Sequence, residues 1–519
     1  MADPSPDKFD ATHRVLGSPE LFKLICECLG KDRAKLTRVS RRMFAGAAPM
    51  VWATVEVLHL LRLIPGTNQS SSEVNEHTEQ YRIEMPARVN LGRFELYAPF
   101  VKRLKASSIY IIEFSPQWEQ SRRESAATPL LPNLLHIKIA HISPIRREIM
   151  EWAALFVGPS LLSFELYCTQ FELWRQTREE EVVSELVAKM SEVCTHLEKL
   201  KVCSRKDLLL PISGLNHLRS FSTNELAIND ELLHALGLLP RLEELSLLRE
   251  VFSPFGKRRG PIELPDNSFP SLRHLNLSFI SPFIIARFCN SPKLFRKLEK
   301  VSIQFGANCN DVMGNLERLT TAVLPLGRNS PRVTDLTISP QGWFAPSWSI
   351  IELFKRMPLR CLNLTRVVFG PGDYVAHEGQ EAPPVCHPAI GWHDFLAAVP
   401  LLEEFRLFEL ESSTLPIFAS MLLHLRRLAV HEIGFSGAEE IPRAVAGWHP
   451  ATQSITIQAT VYKIEVAGDS GISGVARYVH HLWPNVAFET GGRNREIAAD
   501  LNRAIGLLKA EEFQVENDV

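Results

Sequence analysis

Leu238-Leu239-Pro240-Arg241-Leu242-Glu243-Glu244-Leu245-Ser246-Leu247-Leu248-Arg249-Glu250-Val251 decides the fold, because its central L-x-x-L-x-L, at Leu242, Leu245 and Leu247, recurs along most of the chain. The spacing returns at Leu134/Ile137/Ile139, Leu161/Phe164/Leu166, Leu197/Leu200/Val202, Leu218/Phe221/Thr223, Leu272/Leu275/Leu277 and Leu298/Val301/Ile303. It continues at Val333/Leu336/Ile338, Leu359/Leu362/Leu364, Leu402/Phe405/Leu407 and Leu425/Leu428/Val430, with a degenerate copy at Thr452/Ile455/Ile457. Alternate residues of a strand share a face, so the second and third apolar positions of each copy point one way and the residue between them points the other.

Successive copies begin 21 to 43 residues apart. A unit this short cannot bury its own apolar side, so stacked neighbours have to supply the core. The copies resemble leucine-rich repeats, and the resemblance implies an α/β fold in which strands and helices alternate into a curved solenoid. Helical spacing between strands agrees with this: Val182, Val183, Leu186, Val187 and Met190 precede the strand at Leu197, and residues 231–239 precede Leu242. Parallel strands on one side and wider helices on the other force curvature, which leaves the outward strand positions as the expected face for a protein ligand. Ser246, Asn276, Ser302, Thr337, Asn363 and Arg406 are those positions. Residues 370–388, rich in Gly and Pro, read as an inserted surface loop. Helical spacing at 472–482 and 494–509, around a strand at 486–488, reads as a cap spanning 468–519.

With 519 residues the chain exceeds one ordinary core, as an array does. Lys plus Arg total 57 against 59 for Asp plus Glu, a net charge of −2, so no global field attracts nucleic acid or an anionic membrane. No stretch reaches the ~20 apolar residues of a membrane span, and 1–13 is acidic, Pro-rich and expected to be disordered. The expected setting is cytoplasmic or nuclear. Nine scattered cysteines suit reduced thiols there.

Ser18-Pro19-Glu20 is a helix start: Ser caps, Pro occupies the first turn, and Glu meets the positive end of the dipole. Leu21, Leu24, Ile25, Cys28 and Leu29 then form an apolar stripe at helical spacing. Gly30 ends that helix, Asp32 is placed to cap a second, and Pro49 to open a third carrying Val51 and Trp52. About 40 residues bury little surface alone, so an apolar partner is physically expected.

This region resembles the F-box. Pro19-Glu20-Leu21, Leu24-Ile25, Leu29, Leu36-x-x-Val39-Ser40-Arg41-Arg42 and Pro49-x-x-Trp52 match the motif in order and spacing over residues 16–52. It departs where the usual Leu-Pro is Ser18-Pro19 and where Met43-Phe44 replaces a frequent Trp. Leu58 to Ile64 followed by Pro65-Gly66, and Arg93-Phe94-x-x-Tyr97-Ala98 with Val101-x-x-Leu104, are similar to fungal-type members. The resemblance implies an F-box with its following helix over 14–65, a polar linker over 66–85 and a repeat array over 86–467. It also implies a non-catalytic substrate receptor of an SCF-type ubiquitin ligase, docking an Skp-family adaptor and through it a cullin. Pro19, Leu21, Ile25, Leu29, Leu36, Val39 and Trp52 are the implied adaptor-binding residues. The alternative is a repeat scaffold that binds proteins outside any ligase.

Enzymatic signals are weak. Cys26-Glu27-Cys28 and Cys386-His387 lack the second ligand pair of a zinc site. Glycines at 468–474 and 491–492 lack the order that cradles phosphates, and no G-x-S-x-G elbow occurs. No cofactor is expected.

Overall fold

The computed structural model describes residues 18–75, 78–86, 90–107, 110–113, 129–142, 147–168, 180–202, 212–224, 230–248, 262–278, 285, 288–306, 330, 332–341, 366–369, 393, 396–397, 399–435, 454–464, 469–490 and 495–518. The protein is α/β, with twelve α-helices among the described residues, and it divides into two compact units, Met1–Arg241 and Leu242–Val519.

The first unit opens with helices α1 (Pro19–Cys28), α2 (Arg33–Leu36) and α3 (Arg41–Val51), strand β1 (Thr54–Glu56) and α4 (Val57–Leu61). Next come β2 (Asn68–Asn75), β3 (Thr78–Glu84), α5 (Gly92–Tyr97), β4 (Arg103–Ser107) and β5 (Tyr110–Glu113). It continues through β6 (His136–Ile142), α6 (Arg147–Leu155), β7 (Ser163–Cys168), α7 (Glu180–Val193), β8 (Lys199–Lys201), β9 (Ser220–Asn224) and α8 (Asp230–Gly237). Its main sheet is parallel in the order β1-β4-β6-β7-β8-β9. Val55, Leu104, Ile137, Phe164, Leu200 and Phe221 stand in register as one buried row.

A smaller sheet corrects the reading of 66–85 as a linker. There β2 and β3 form an antiparallel hairpin, and β5 adds to β3 in parallel. Polar composition concealed an alternation through Ile83 and Met85, both buried, and sheet pairing satisfies the backbone that a loop would leave to water.

In the second unit the order in the sheet is the order in the chain. Its elements are β10 (Glu244–Leu248), β11 (His274–Ser278), α9 (Pro292–Phe295), β12 (Lys300–Gly306), β13 (Asp335–Gln341) and β14 (Arg366–Phe369). They continue as β15 (Glu404–Glu411), α10 (Leu415–Met421), β16 (Arg427–Phe435), β17 (Ile455–Ile464), α11 (Asp469–Leu482), β18 (Val486–Thr490) and α12 (Arg495–Asp518). All nine strands pair in parallel. The copy read at Leu359/Leu362/Leu364 lies outside the described residues, and the strand that pairs with β13 is β14, just after it. Val367 and Phe369 register against Leu336 and Ile338, five residues after Leu362 and Leu364. Overlapping apolar triplets with one spacing left the sequence ambiguous. In the degenerate copy Ile455 and Ile457 are buried, and Thr452 lies outside the described residues.

Strand starts share one construction. The first apolar residue of a copy closes a turn onto the carbonyl three residues earlier, as in Leu134 to Leu131, Leu298 to Phe295 and Leu425 to Leu422. A single carbonyl then accepts from two consecutive N–H groups of the next strand. Lys102 serves Leu135 and His136, Glu243 serves Arg273 and His274, and Arg273 serves Glu299 and Lys300, all at 2.8–3.0 Å. This fixes register, so the apolar positions of one strand fall opposite those of the next.

At the last strand, the Asn502 side chain on α12 donates to the Phe488 carbonyl and accepts from its N–H, both at 2.8 Å. The amide satisfies one residue of an edge that would otherwise offer itself to another strand.

Candidate functional site

Three surfaces carry the residues singled out by sequence. The first is the helical segment at 18–52. Ser18 accepts the Leu21 N–H at 3.3 Å, and the Ser40 hydroxyl accepts the Met43 N–H at 3.2 Å. The expected Asp32 cap does not form; its carboxylate pairs with Lys35 at 2.8 Å. Pro49 does not open a helix either. It lies inside α3, which Ser40 starts, and in the last turn it forfeits a single backbone bond. The Glu20 carboxyl is held below its ordinary range by backbone N–H at the helix start and by the Ser18 hydroxyl.

The core of this segment is Phe22, Cys26 and Ala47, with Leu36, Met43 and Met50 packed against it. Burial pushes the Cys26 thiol up, with Arg33 opposing. Helix α1 therefore has two apolar faces. Phe22 and Cys26 hold it to α3, while the stripe read from the sequence points outward: Leu21 is 43% exposed, Leu24 55% and Leu29 39%; Val39, after α2, is 63% exposed. Pro19 is exposed, and Ile25 and Leu36 are half-buried. Trp52 belongs to a different cluster, its ring 4.4 Å from Tyr97, with Phe44 edge-on to Tyr97 at 5.7 Å. The sequence reading missed Phe22, although Phe22 and Cys26 stand four apart on one helix face.

The second surface is the outward side of β10–β18. Ser246, Asn276, Ser302 and Thr337 register across four neighbouring strands; Val368 follows, then Arg406. Asn363 lies outside the described residues, as do 370–388 and 1–13, and Val368 takes the place in the row assigned to Asn363. Asn276, Ser302, Thr337 and Arg406 are half-buried, whereas Ser246 is buried because its short side chain lies below taller neighbours such as Glu244 and Leu248 on its strand. Arg406 Nε donates to Glu404 at 2.7 Å, and Ser278 donates to Asn276 at 2.9 Å. The adjoining outward row reads Glu244, His274, Lys300, Asp335, Arg366, Glu404, Arg427, with sign alternating from Lys300 onward. Neighbouring strands thus compensate one another.

The third surface is the outward side of the first unit, where Arg103, Lys105, Lys138 and Lys199 are exposed. Glu165 Oε1 lies 2.6 Å from Lys199 Nζ, and Tyr167 donates to Glu165 Oε2 at 2.6 Å. Burial pushes the Glu165 carboxyl up, but the Lys199 and Tyr167 hydrogen bonds outweigh it and hold it below its ordinary value. Burial, then the bond to Glu165, raises the Tyr167 hydroxyl to about 12. His136 is held low by burial, then Arg103, against Glu165 and Glu198.

Among the described residues no group of three or more His, Cys, Asp or Glu is arranged to hold a metal ion, and no helix is long and apolar enough to cross a membrane. No protein-family model matches the chain, and no curated protein matches it. Among solved structures, a chain in the crystal structure of the yeast Rad7 and Elc1 complex is similar at 16% identity and a TM-score of 0.31, over 83% of this chain and 94% of that one. A likeness at that TM-score says nothing about function.

Proposed function

We propose that this chain is the substrate-recognition subunit of an SCF-type ubiquitin ligase. An F-box at its amino-terminal helices docks an Skp-family adaptor, and through it a cullin, while a leucine-rich-repeat-like solenoid holds a protein substrate. The observation that carries the reading is the second apolar face of α1, where Leu21, Leu24 and Leu29 are exposed, as Val39 is after α2, while Phe22 and Cys26 already supply the local core. Clustered exposed apolar side chains on a small helical segment are what a protein interface uses. Pro19, Leu21, Leu29 and Val39 are its contact residues. Ile25 and Leu36 support them from behind, and Trp52 serves as a joint to α5.

The chain performs no chemistry in this account. Holding the substrate beside the charged conjugating enzyme raises its effective concentration there. The outward rows of the parallel sheets are the substrate faces. The scaffold alternative draws on the Trp52–Tyr97 contact, because a helical cap of an array would be fixed in that way. Co-purification separates the two: an Skp-family adaptor and a cullin captured with the chain support the ligase, and a capture holding neither leaves the scaffold.

A further inference from the structure

The outward rows of the two units differ in their electrostatics. In the second unit the row from Lys300 through Asp335, Arg366 and Glu404 to Arg427 alternates in sign, and the like pair Glu409 opposite Glu432 lies farther along β15 and β16. In the first unit Lys105 registers directly opposite Lys138, both exposed, and Arg103 directly opposite His136. Like charges opposite one another on neighbouring strands are destabilising. Five cations, Arg103, Lys105, Lys138, Lys199 and Lys201, stand on β4, β6 and β8. They face Glu165 at the centre, with Glu56 on the edge strand β1 and Glu198 at the start of β8.

We propose that this face binds an acidic protein segment, a run of Asp and Glu, and so sets the class of substrate taken by the receptor; this rests on the ligase reading above. The patch is built in advance of its ligand. Lys138 and Lys201, one from each strand beside β7, lie 4.7 and 3.8 Å from the Tyr167 ring centroid, and the Tyr167 hydroxyl is fixed by Glu165. Ammonium groups already positioned lose less freedom when a carboxylate arrives. The carboxylates do not neutralise the patch: Glu165, held by Lys199 at 2.6 Å, Glu56, directly opposite Lys105, and Glu198 are three against five cations. At ~4.8 Å between strands, the cations spread over roughly 15 Å, the span of about five extended residues.

Nucleic acid fits less well. Single strands bind by stacking bases on open aromatic faces, and here the Tyr167 ring carries ammonium groups instead. The patch holds one Arg, and a chain of net charge −2 adds no long-range attraction.

The test uses the full chain and fluorescence anisotropy with three labelled probes: a twelve-residue peptide alternating Asp and Glu with Gly and Ser, its Asn/Gln counterpart, and a twelve-nucleotide oligouridine. The acidic peptide is expected to bind, to weaken as salt rises, and to bind at least tenfold more tightly than the other two. Lys105→Glu with Lys138→Glu should abolish that binding, Lys105→Gln with Lys138→Gln should weaken it several-fold, and Lys509→Glu on the exposed side of α12 should leave it unchanged. Both Lys105 and Lys138 are exposed, so unchanged thermal unfolding of the Gln pair verifies that folding is intact. Equal binding by wild type and the Gln pair, tighter binding of oligouridine, or no binding of the acidic peptide each overturns the proposal. Adaptor capture, measured on the same samples, reports separately on the ligase reading, because Lys105 and Lys138 belong to β4 and β6 and not to the helices that carry the docking residues.

Discussion

The ring of Trp52 packs on that of Tyr97 with centroids 4.4 Å apart and planes 33° from parallel, tying the end of α3 to α5. Phe44 completes the joint, edge-on to Tyr97 at 5.7 Å and to Phe100 at 6.4 Å. Aromatic pairs contribute about 0.5–1.5 kcal/mol beyond the area they bury. Tyr97→Ala is therefore expected to speed amide exchange across α1 and α3 while β10–β18 keep their protection. Exchange that changes equally in both units would show the joint to be unimportant.

Gly46 makes a second prediction. A Cβ there would stand 2.6 Å from Cε1 of Phe22, whose ring is buried against Cys26 and Ala47. In an open helix Gly→Ala stabilises by about 1 kcal/mol, but overpacking costs ~1–3 kcal/mol. Gly46→Ala should thus be neutral to destabilising in chemical denaturation, and Gly46→Ala with Phe22→Leu should recover part of the loss. A clear gain from Gly46→Ala alone would contradict the packing of α1 on α3.

In the second unit, Leu275→Ala empties a site 1% exposed and should cost ~2–5 kcal/mol. Lys300→Ala, on the outward row, should stay within about 0.5 kcal/mol. Denaturant midpoints measure both, and equal shifts would reverse the inward and outward assignment.

His136 gives a pH prediction. Its folded pKa lies below the ordinary value of about 6.5, through burial and then Arg103. The group therefore favours the fold fully above the unfolded value, and its contribution falls away as pH drops from there through the folded value. In an NMR titration His136 should titrate low in wild type and higher in Arg103→Gln, yet still below ordinary because burial remains. A titration unmoved by Arg103→Gln would remove Arg103 as a cause.

Much of this was legible in the chain. The L-x-x-L-x-L spacing placed Leu245, Leu275, Val301 and Phe405 inside, because period 2 and apolar side chains leave one arrangement that makes a core. It misplaced β14, where triplets sharing Leu364 satisfy the same spacing, and it hid the hairpin of β2 and β3, where polar residues occupy a small sheet. Burial of Ser246 depends on neighbours' heights, which spacing does not encode. At α1 the motif marked the stripe that turned out to be exposed, whereas the inward pair Phe22 and Cys26 emerges only when α3 is laid against it. Opposition of Lys105 to Lys138, 33 positions apart in the chain, required the register between β4 and β6.

The most direct measurement is adaptor binding by purified wild type and by Leu24→Asp with Val39→Asp. Both residues are exposed and outside the Phe22 cluster, so thermal unfolding should hold steady. Losing two apolar anchors at ~1–2 kcal/mol each should weaken binding of an Skp-family adaptor by roughly 30-fold or more. Adaptor affinity equal in the two proteins, with folding intact in both, would contradict the assignment of α1 as the docking surface.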